Sequence, residues 1–105
     1  MNENVYQAKL IKKIEKRFPG CLVMKNDPAH KQGIPDLTIL FGKCWATLEV
    51  KPSASSPIRP NQEFYIQRLD SMSFAAFINP DNEEDVLNAL QTAFESCGGT
   101  CLPES

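Results

Sequence analysis

The chain has 105 residues, of which 42% are hydrophobic and 23% are charged, and its formal net charge at pH 7 is −2. A chain of this length forms one small domain, and none of its apolar runs approaches the roughly 20 residues that cross a bilayer. Its amino terminus lacks the basic segment and apolar core of a signal peptide. We therefore expect a single cytoplasmic domain with no membrane partner.

The charge is divided unevenly along the chain. Residues 1–60 hold ten Lys and Arg against five Asp and Glu, a net +5, whereas residues 61–105 hold one against eight, a net −7, and the two sum to −2. This division is compatible with a basic face for phosphate and an acidic face turned away. Ordinary solvated helix faces would produce the same division, so the two alternatives stay open.

Apolar periodicity and chain-breaking residues predict seven elements in the order αβββαβα. The first helix carries apolar residues at steps of three and four and ends at Pro19-Gly20. Pro60 suits the first turn of the second helix. The predicted spans are helices at about 3–18, 60–71 and 83–96, and strands at about 21–25, 35–41, 44–51 and 73–78. The domain is predicted to cover 1–96, with a flexible tail at 97–105.

The four cysteines do not form a recognisable metal motif. Cys21 and Cys44 lie in apolar strand-like runs, where buried free thiols are expected. Cys97 and Cys101 lie near the carboxyl terminus at a spacing that is not typical of zinc sites. A disulfide within the tail is conceivable, but the expected cytoplasmic location argues against it.

The most informative stretch is residues 35–51. A two-residue loop at Gly42-Lys43 predicts a hairpin in which Asp36 lies opposite Glu49. Like charges directly opposed on two strands repel, and Lys51 lies on the same face as Glu49 because strand side chains alternate. The arrangement is unfavourable unless a cation joins it, and it therefore predicts a metal-dependent site.

The residue types suit phosphodiester hydrolysis, which needs a Lewis acid, an activated water and stabilisation of developing negative charge. The carboxylates of Asp36 and Glu49 are hard oxygen ligands of the kind that Mg²⁺ prefers, and the backbone carbonyl of Val50 is a further candidate oxygen. Lys51 is a candidate for orienting the attacking water. The alternative is that Lys51 simply pairs with one of the carboxylates on an exposed face, and spacing alone favours neither.

Pro35-Asp36, followed after twelve residues by Glu49-Val50-Lys51, resembles the PD-(D/E)XK nuclease signature. The surrounding residues 33–37 and Asn61-Gln62 resemble the small VRR-NUC type nucleases of bacteriophages and, more distantly, archaeal Holliday-junction resolvases. The similarity spans roughly residues 5–80. It implies an α/β restriction-endonuclease-like fold with a central mixed four-stranded sheet flanked by helices, and a location in the host cytoplasm if the chain is phage-encoded.

The resemblance also implies roles for individual residues. Asp36 and Glu49 would bind metal, and Lys51 would be catalytic. Gln62 matches a glutamine beside the site in the helix that follows the motif. The alternative for Gln62 is an exposed polar residue at a helix start.

Two accessory positions follow from the same comparison. The family often carries an acid on its first helix. The corresponding position here is nearest Gln7, with Glu3 and Glu15 less favoured. Because Gln7 is not an acid, the number of metal ions, one or two, stays open. Lys25 matches a basic residue at the end of the first strand in resolvases, where it would contact phosphate. An ordinary solvated lysine explains Lys25 equally well.

Further candidates concern nucleic-acid contact. Gly33 would let the backbone pass close to substrate, or would merely satisfy a turn. His30 is expected to be a solvated loop residue, and Trp45 to pack on the sheet or to belong to a dimer or DNA surface. The first helix carries a basic stripe that would follow a phosphate backbone, or that is simply solvated: Lys9, Lys12, Lys13, Lys16 and Arg17.

The leading hypothesis is a Mg²⁺-dependent endonuclease, with Mn²⁺ as a possible substitute and no small-molecule cofactor. Its expected partner is DNA, branched, Holliday-junction or duplex, and it is expected to act as a homodimer with two active sites. The alternatives are an inactive DNA-binding or assembly module with a nuclease fold, and a nuclease acting on RNA. His30 is the only histidine, so nothing resembles a metal-free, histidine-based RNase site.

Overall fold

The computed structural model describes residues 2–98, and the predicted order αβββαβα is confirmed. Every bound lies within two residues of its prediction. No helix within this range is long and apolar enough to cross a membrane. The elements are α1 (Glu3–Arg17), β1 (Leu22–Lys25), β2 (Leu37–Phe41), β3 (Cys44–Val50), α2 (Pro60–Asp70), β4 (Phe74–Ile78) and α3 (Glu83–Cys97).

The four strands form one mixed sheet in the order β1-β2-β3-β4. β1, β2 and β3 are antiparallel neighbours, whereas β4 runs parallel to β3 and is reached through α2. The hairpin has the predicted register, since Phe41 pairs with Cys44 and Leu37 pairs with Leu48. Each β2 residue therefore faces the β3 residue that the two-residue loop dictates.

One face of the sheet forms the core together with α1 and α3. Alternate residues of β2 and β3 point into it, as the period of a strand requires, and Leu37, Ile39 and Leu48 are completely buried. Phe18 at the end of α1 and Phe94 of α3 have ring centroids 5.3 Å apart in an edge-to-face contact. These side chains join both helices to the hairpin in one cluster.

The opposite face of the sheet is only half covered. α2 packs on β3 and β4, so Thr47 and Ala75 are buried on this face. Towards β1 and β2 the same face is left open. There Leu22 pairs with Leu40 and Leu40 with Trp45, and Leu22 remains 63% exposed.

The charged residues do not separate into two opposed faces. Lys13 of α1 donates to Glu83 of α3 over 2.7 Å, and Glu83 also accepts a hydrogen bond of 2.9 Å from the Tyr6 hydroxyl. Arg17 lies 3.5 Å from Glu84. The basic first helix and the acidic last helix are therefore neighbours, which does not favour the alternative of an acidic face turned away from a basic one.

The cysteine predictions are also corrected. Cys44 is not a free thiol, because it forms a disulfide with Cys97, with their Cα atoms 6.1 Å apart. Cys97 is the last residue of α3 and so belongs to the folded domain rather than to the predicted tail. Cys21 is the free thiol of the described range. Cys101 and the rest of the tail lie outside it.

We expect reduction of this disulfide to destabilise the domain, because the cross-link joins residues 53 apart in sequence and restricts the unfolded chain. Cys97→Ser should lower the free energy of unfolding by about 2–4 kcal/mol, measured by urea denaturation. Dithiothreitol should lower the free energy of unfolding of the parent by a similar amount and leave that of Cys97→Ser unchanged. Equal midpoints for the parent with and without reductant would contradict the cross-link, and Cys21→Ser serves as the control.

Candidate active site

The hairpin and α2 bring the predicted site residues together on the half-covered face. Asp36 immediately precedes β2 and Glu49 is near the end of β3. Continuing the register one step beyond the Leu37–Leu48 pair places the two carboxylates opposite each other. Lys51 follows on the same face, and Gln62 reaches them from the first turn of α2.

The backbone of Val50 holds the Asp36 carboxylate. Pro35 lies opposite Val50 if the register is continued, but the N–H of Val50 donates to Asp36 Oδ2 over 2.9 Å, and the carbonyl of Pro35 accepts from the side chain of Asn26. Pro35 has no backbone N–H, so it cannot donate to the carbonyl of Val50. This suits that carbonyl oxygen to its predicted role as a ligand.

Asn26, directly after β1, holds the backbone at Pro35 and Asp36 in place and is not among the residues predicted from the sequence. Its backbone N–H donates to the carbonyl of Asp36 over 2.8 Å. Its side-chain amide donates to the carbonyl of Pro35 and to Thr38 Oγ1, each over 2.9 Å. The only signal in the sequence is a polar residue at the end of an apolar strand, which is too common to be recognised.

Glu49 is the most perturbed acid of the site. It is 5% exposed, and its Oε2 accepts from Gln62 Nε2 over 3.0 Å. Its Oε1 is buried and has no hydrogen-bond partner among the described residues. Burial and then the charge of Asp36 raise the pKa of Glu49 to about 8, although Lys51 opposes the shift. Burial also raises the pKa of Asp36, against the N–H of Val50 and the charge of Lys51.

Gln62 connects the lysine to the carboxylate. Its Oε1 accepts from Lys51 Nζ over 2.8 Å and from the backbone N–H of Arg59 over 3.0 Å. Lys51 Nζ also donates to the carbonyl of Pro57 over 3.0 Å and lies 3.8 Å from Glu49 Oε2, with 12% of the lysine side chain exposed. Lys51 therefore pairs with a carboxylate, as its alternative predicted, but on a largely buried face. Gln62 is half-buried rather than exposed.

The acid that α1 brings to the site is Glu3 rather than a residue at the expected register. Glu3 lines a cavity together with Asp36, Glu49 and Lys51, and burial followed by the charge of Asp36 raises its pKa. Gln7 is buried but does not line this cavity. Glu3 reaches the site because it lies in the first turn of α1, one turn before Gln7, the position that the resemblance favoured.

Two cavities flank the carboxylate pair. One, of about 400 Å³, is bounded by residues 28–34 and the start of α2. The other, of about 390 Å³, is bounded by Glu3, Lys51 and the loop before α2. Four residues line both cavities, so the site lies where they meet: Asp36, Glu49, Arg59 and Gln62.

The donor set fits a hard divalent cation that keeps much of its water. Within residues 2–98, no three His, Cys, Asp or Glu side chains form a ready metal-binding group. Mg²⁺, however, is usually held by one or two carboxylates and several waters. The unpartnered Glu49 Oε1 and the charge of Asp36 that raises the Glu49 pKa are what a bound cation would relieve.

Several other predicted residues do not line either cavity. Lys25 is exposed at the end of β1, and His30 is exposed in the following loop. Trp45 is half-buried on the open sheet face. In the basic stripe Lys13 binds Glu83, whereas three lysines are exposed on the side of α1 away from the core: Lys9, Lys12 and Lys16.

Gly33 is required by packing. Its φ is +91°, and an added Cβ would lie 2.8 Å from Asn61 Cγ and 2.9 Å from the Asn61 backbone. Contacts under about 3 Å are not tolerated, so only glycine lets this loop lie against the start of α2. Gly33 also lines the first cavity, and its predicted contact with nucleic acid stays a prediction.

The comparisons with known proteins bear on the fold. No protein-family model and no curated protein sequence matches the chain. A solved structure described as a VRR_NUC domain protein superposes with a TM-score of 0.66 at 16% identity, over 90% of this chain and 89% of that one. The chain therefore has the fold of a VRR_NUC domain protein. The predicted phage origin and relation to Holliday-junction resolvases stay predictions.

The raised pKa of Glu49 predicts how the metal-free protein responds to pH. The folded state holds this proton up to about pH 8, whereas the ordinary pKa of a glutamate is 4.5. The stabilisation is thus complete below about pH 4.5 and is lost as the pH rises through about 8. In EDTA we expect the melting temperature to fall over this range, and Glu49→Gln to remove most of the fall. The exposed Glu63→Gln is the control, and identical pH profiles for the parent and Glu49→Gln would contradict the assignment.

Proposed function

We propose that the protein is a metal-dependent endonuclease that hydrolyses phosphodiester bonds in DNA, with Mg²⁺ as its ion and Mn²⁺ as a substitute. One observation carries the proposal. Glu49 is buried with an unpartnered Oε1, opposite a second carboxylate whose charge raises its pKa. A fold that retains this unfavourable pair gains from a cation, and the VRR_NUC domain fold of the chain supports a nuclease.

The carboxylates of Asp36 and Glu49 would hold the ion, with the carbonyl of Val50 as a further oxygen. Glu3, in the adjoining cavity, would bind a metal-bound water or a second ion. When bound, the ion supplies a Lewis acid for the phosphoryl oxygen and lowers the pKa of its water. The N–H of Val50 keeps Asp36 in place, because it donates to Oδ2 over 2.9 Å.

Lys51 would act on the phosphate and the attacking water. Two of its three N–H donors are used by Gln62 Oε1 and the carbonyl of Pro57. Glu49 Oε2, at 3.8 Å, is beyond hydrogen-bond distance, so the third donor is available for a water or a phosphoryl oxygen. Gln62 keeps the ammonium group beside the carboxylate pair.

We expect Lys51→Ala to lower the cleavage rate by about 100-fold or more, because it removes a donor placed where negative charge develops. The measurement is single-turnover cleavage of labelled DNA with Mg²⁺, with Mn²⁺ and with EDTA. Lys43→Ala, which removes an exposed lysine from the hairpin loop, is the matched control. Cleavage by Lys51→Ala at the parental rate would show that the roles are wrongly assigned.

The preferred DNA is proposed to be branched. A panel of duplex, flap and four-way-junction DNAs separates this proposal from a general duplex endonuclease. Binding of junction DNA without any product, with or without metal, would instead indicate an inactive module with a nuclease fold.

We further propose a homodimer, in which two active sites make paired cuts. The open half of the sheet face supports this, since its apolar side chains include Leu22 at 63% and Met24 at 47% exposure. We expect light scattering to give twice the monomer mass, and Leu22→Glu to give the monomer mass. Met72→Glu, at an exposed position after α2, should stay dimeric. A monomer both free and with DNA would exclude the dimer.

A further inference from the structure

Arg59 occupies a position that its side chain does not suit. It is the N-cap of α2, with φ −84° and ψ 151°, and its side chain makes no capping hydrogen bond. N-caps are usually Ser, Thr, Asp or Asn, which accept from the first free N–H groups. Arginine has no acceptor, and its charge adds to the positive end of the helix dipole.

No ion pair within residues 2–98 involves Arg59. The ion pairs of this range involve Lys13, Arg17 and Lys51, and Arg59 is exposed. The backbone N–H of Arg59 donates to Gln62 Oε1, a bond that any residue other than proline would make. The fold therefore uses the backbone of Arg59 and leaves its guanidinium group without a structural task.

The location of Arg59 indicates that its guanidinium group binds a ligand. Arg59 lines both cavities that meet at Asp36 and Glu49, and Lys51 lines one of them. The unpartnered, buried Oε1 of Glu49 marks the same junction independently as a place that binds a ligand. A nucleic-acid strand that presents its phosphodiester to the carboxylate pair would extend into the cavities on either side.

We infer that Arg59 binds the backbone phosphate next to the one that is cleaved, in a groove formed by the two cavities. The planar guanidinium group matches two phosphate oxygens at once. The cavity between residues 28–34 and Asn61, at about 400 Å³, lies in the size range of small-ligand pockets, about 300–1,000 Å³. This cavity takes the adjoining nucleotide. The inference rests on the proposed function, because it assumes a nucleic-acid substrate at this site.

A substitution at the cap separates this role from a structural one. Arg59→Ser supplies the acceptor that the helix lacks, so it should raise the melting temperature. If Arg59 binds phosphate, the same substitution should weaken DNA binding about tenfold, the effect of losing one charged hydrogen bond. A residue with only a structural role would not change stability and affinity in opposite directions.

The experiment is fluorescence anisotropy with a labelled DNA duplex in EDTA, over a series of salt concentrations, so that it does not depend on cleavage. We expect Arg59→Ser to reduce the slope of log affinity against log salt by about 1. Arg59→Lys should keep the slope, because it keeps the charge, while binding more weakly than the parent. Arg68→Ser, on the last turn of the same helix, should leave affinity and slope unchanged.

The outcomes separate this inference from the proposed function. Parental affinity and slope in Arg59→Ser, in a protein that binds and cleaves DNA, would overturn the inference alone. Weaker binding and a smaller slope in a protein that never cleaves would support the inference and overturn the nuclease. A parent that binds no DNA either in EDTA or with Mg²⁺, and that cleaves none, would overturn both.

Discussion

The repulsion between Asp36 and Glu49 is the constraint around which the site is built. The hairpin register places both carboxylates on one face, and burial leaves Glu49 5% exposed. A buried carboxylate beside another charge is expensive unless its proton or a cation offsets it. The surrounding contacts, from Val50 to Asp36 and from Gln62 to Glu49, hold the pair together instead of letting it relax.

The fold supplies the rigidity that this pair requires. The core lies on the other face of the sheet, where Phe18, Phe41 and Phe94 pack α1 and α3 against the hairpin. Glu49 therefore stands on a strand, and Asp36 directly before one, that cannot move without disrupting the core. The residues proposed to bind substrate come instead from the loops and helix start around the cavities, where an exposed side chain such as Arg59 would reach a ligand.

The hairpin was predictable because its causes are local. A two-residue loop leaves one register, and that register determines which side chains face each other. The place of Glu3 was not predictable, because helix periodicity says which residues share a face but not how far α1 extends past the strands. The pairing of Cys44 with Cys97 depends in the same way on how α3 lies across the start of β3.

By itself, the sequence determined the element order, the hairpin register and the grouping of Asp36, Glu49 and Lys51 on one face, because each depends on residues close together in the chain. Only the tertiary structure decided which contacts form between elements that are far apart in the chain. The contacts of Gln62, the approach of Glu3 and the ion pair between Lys13 and Glu83 depend on how helices lie across the sheet. That packing is set by the shape of the whole core, and no local pattern encodes it.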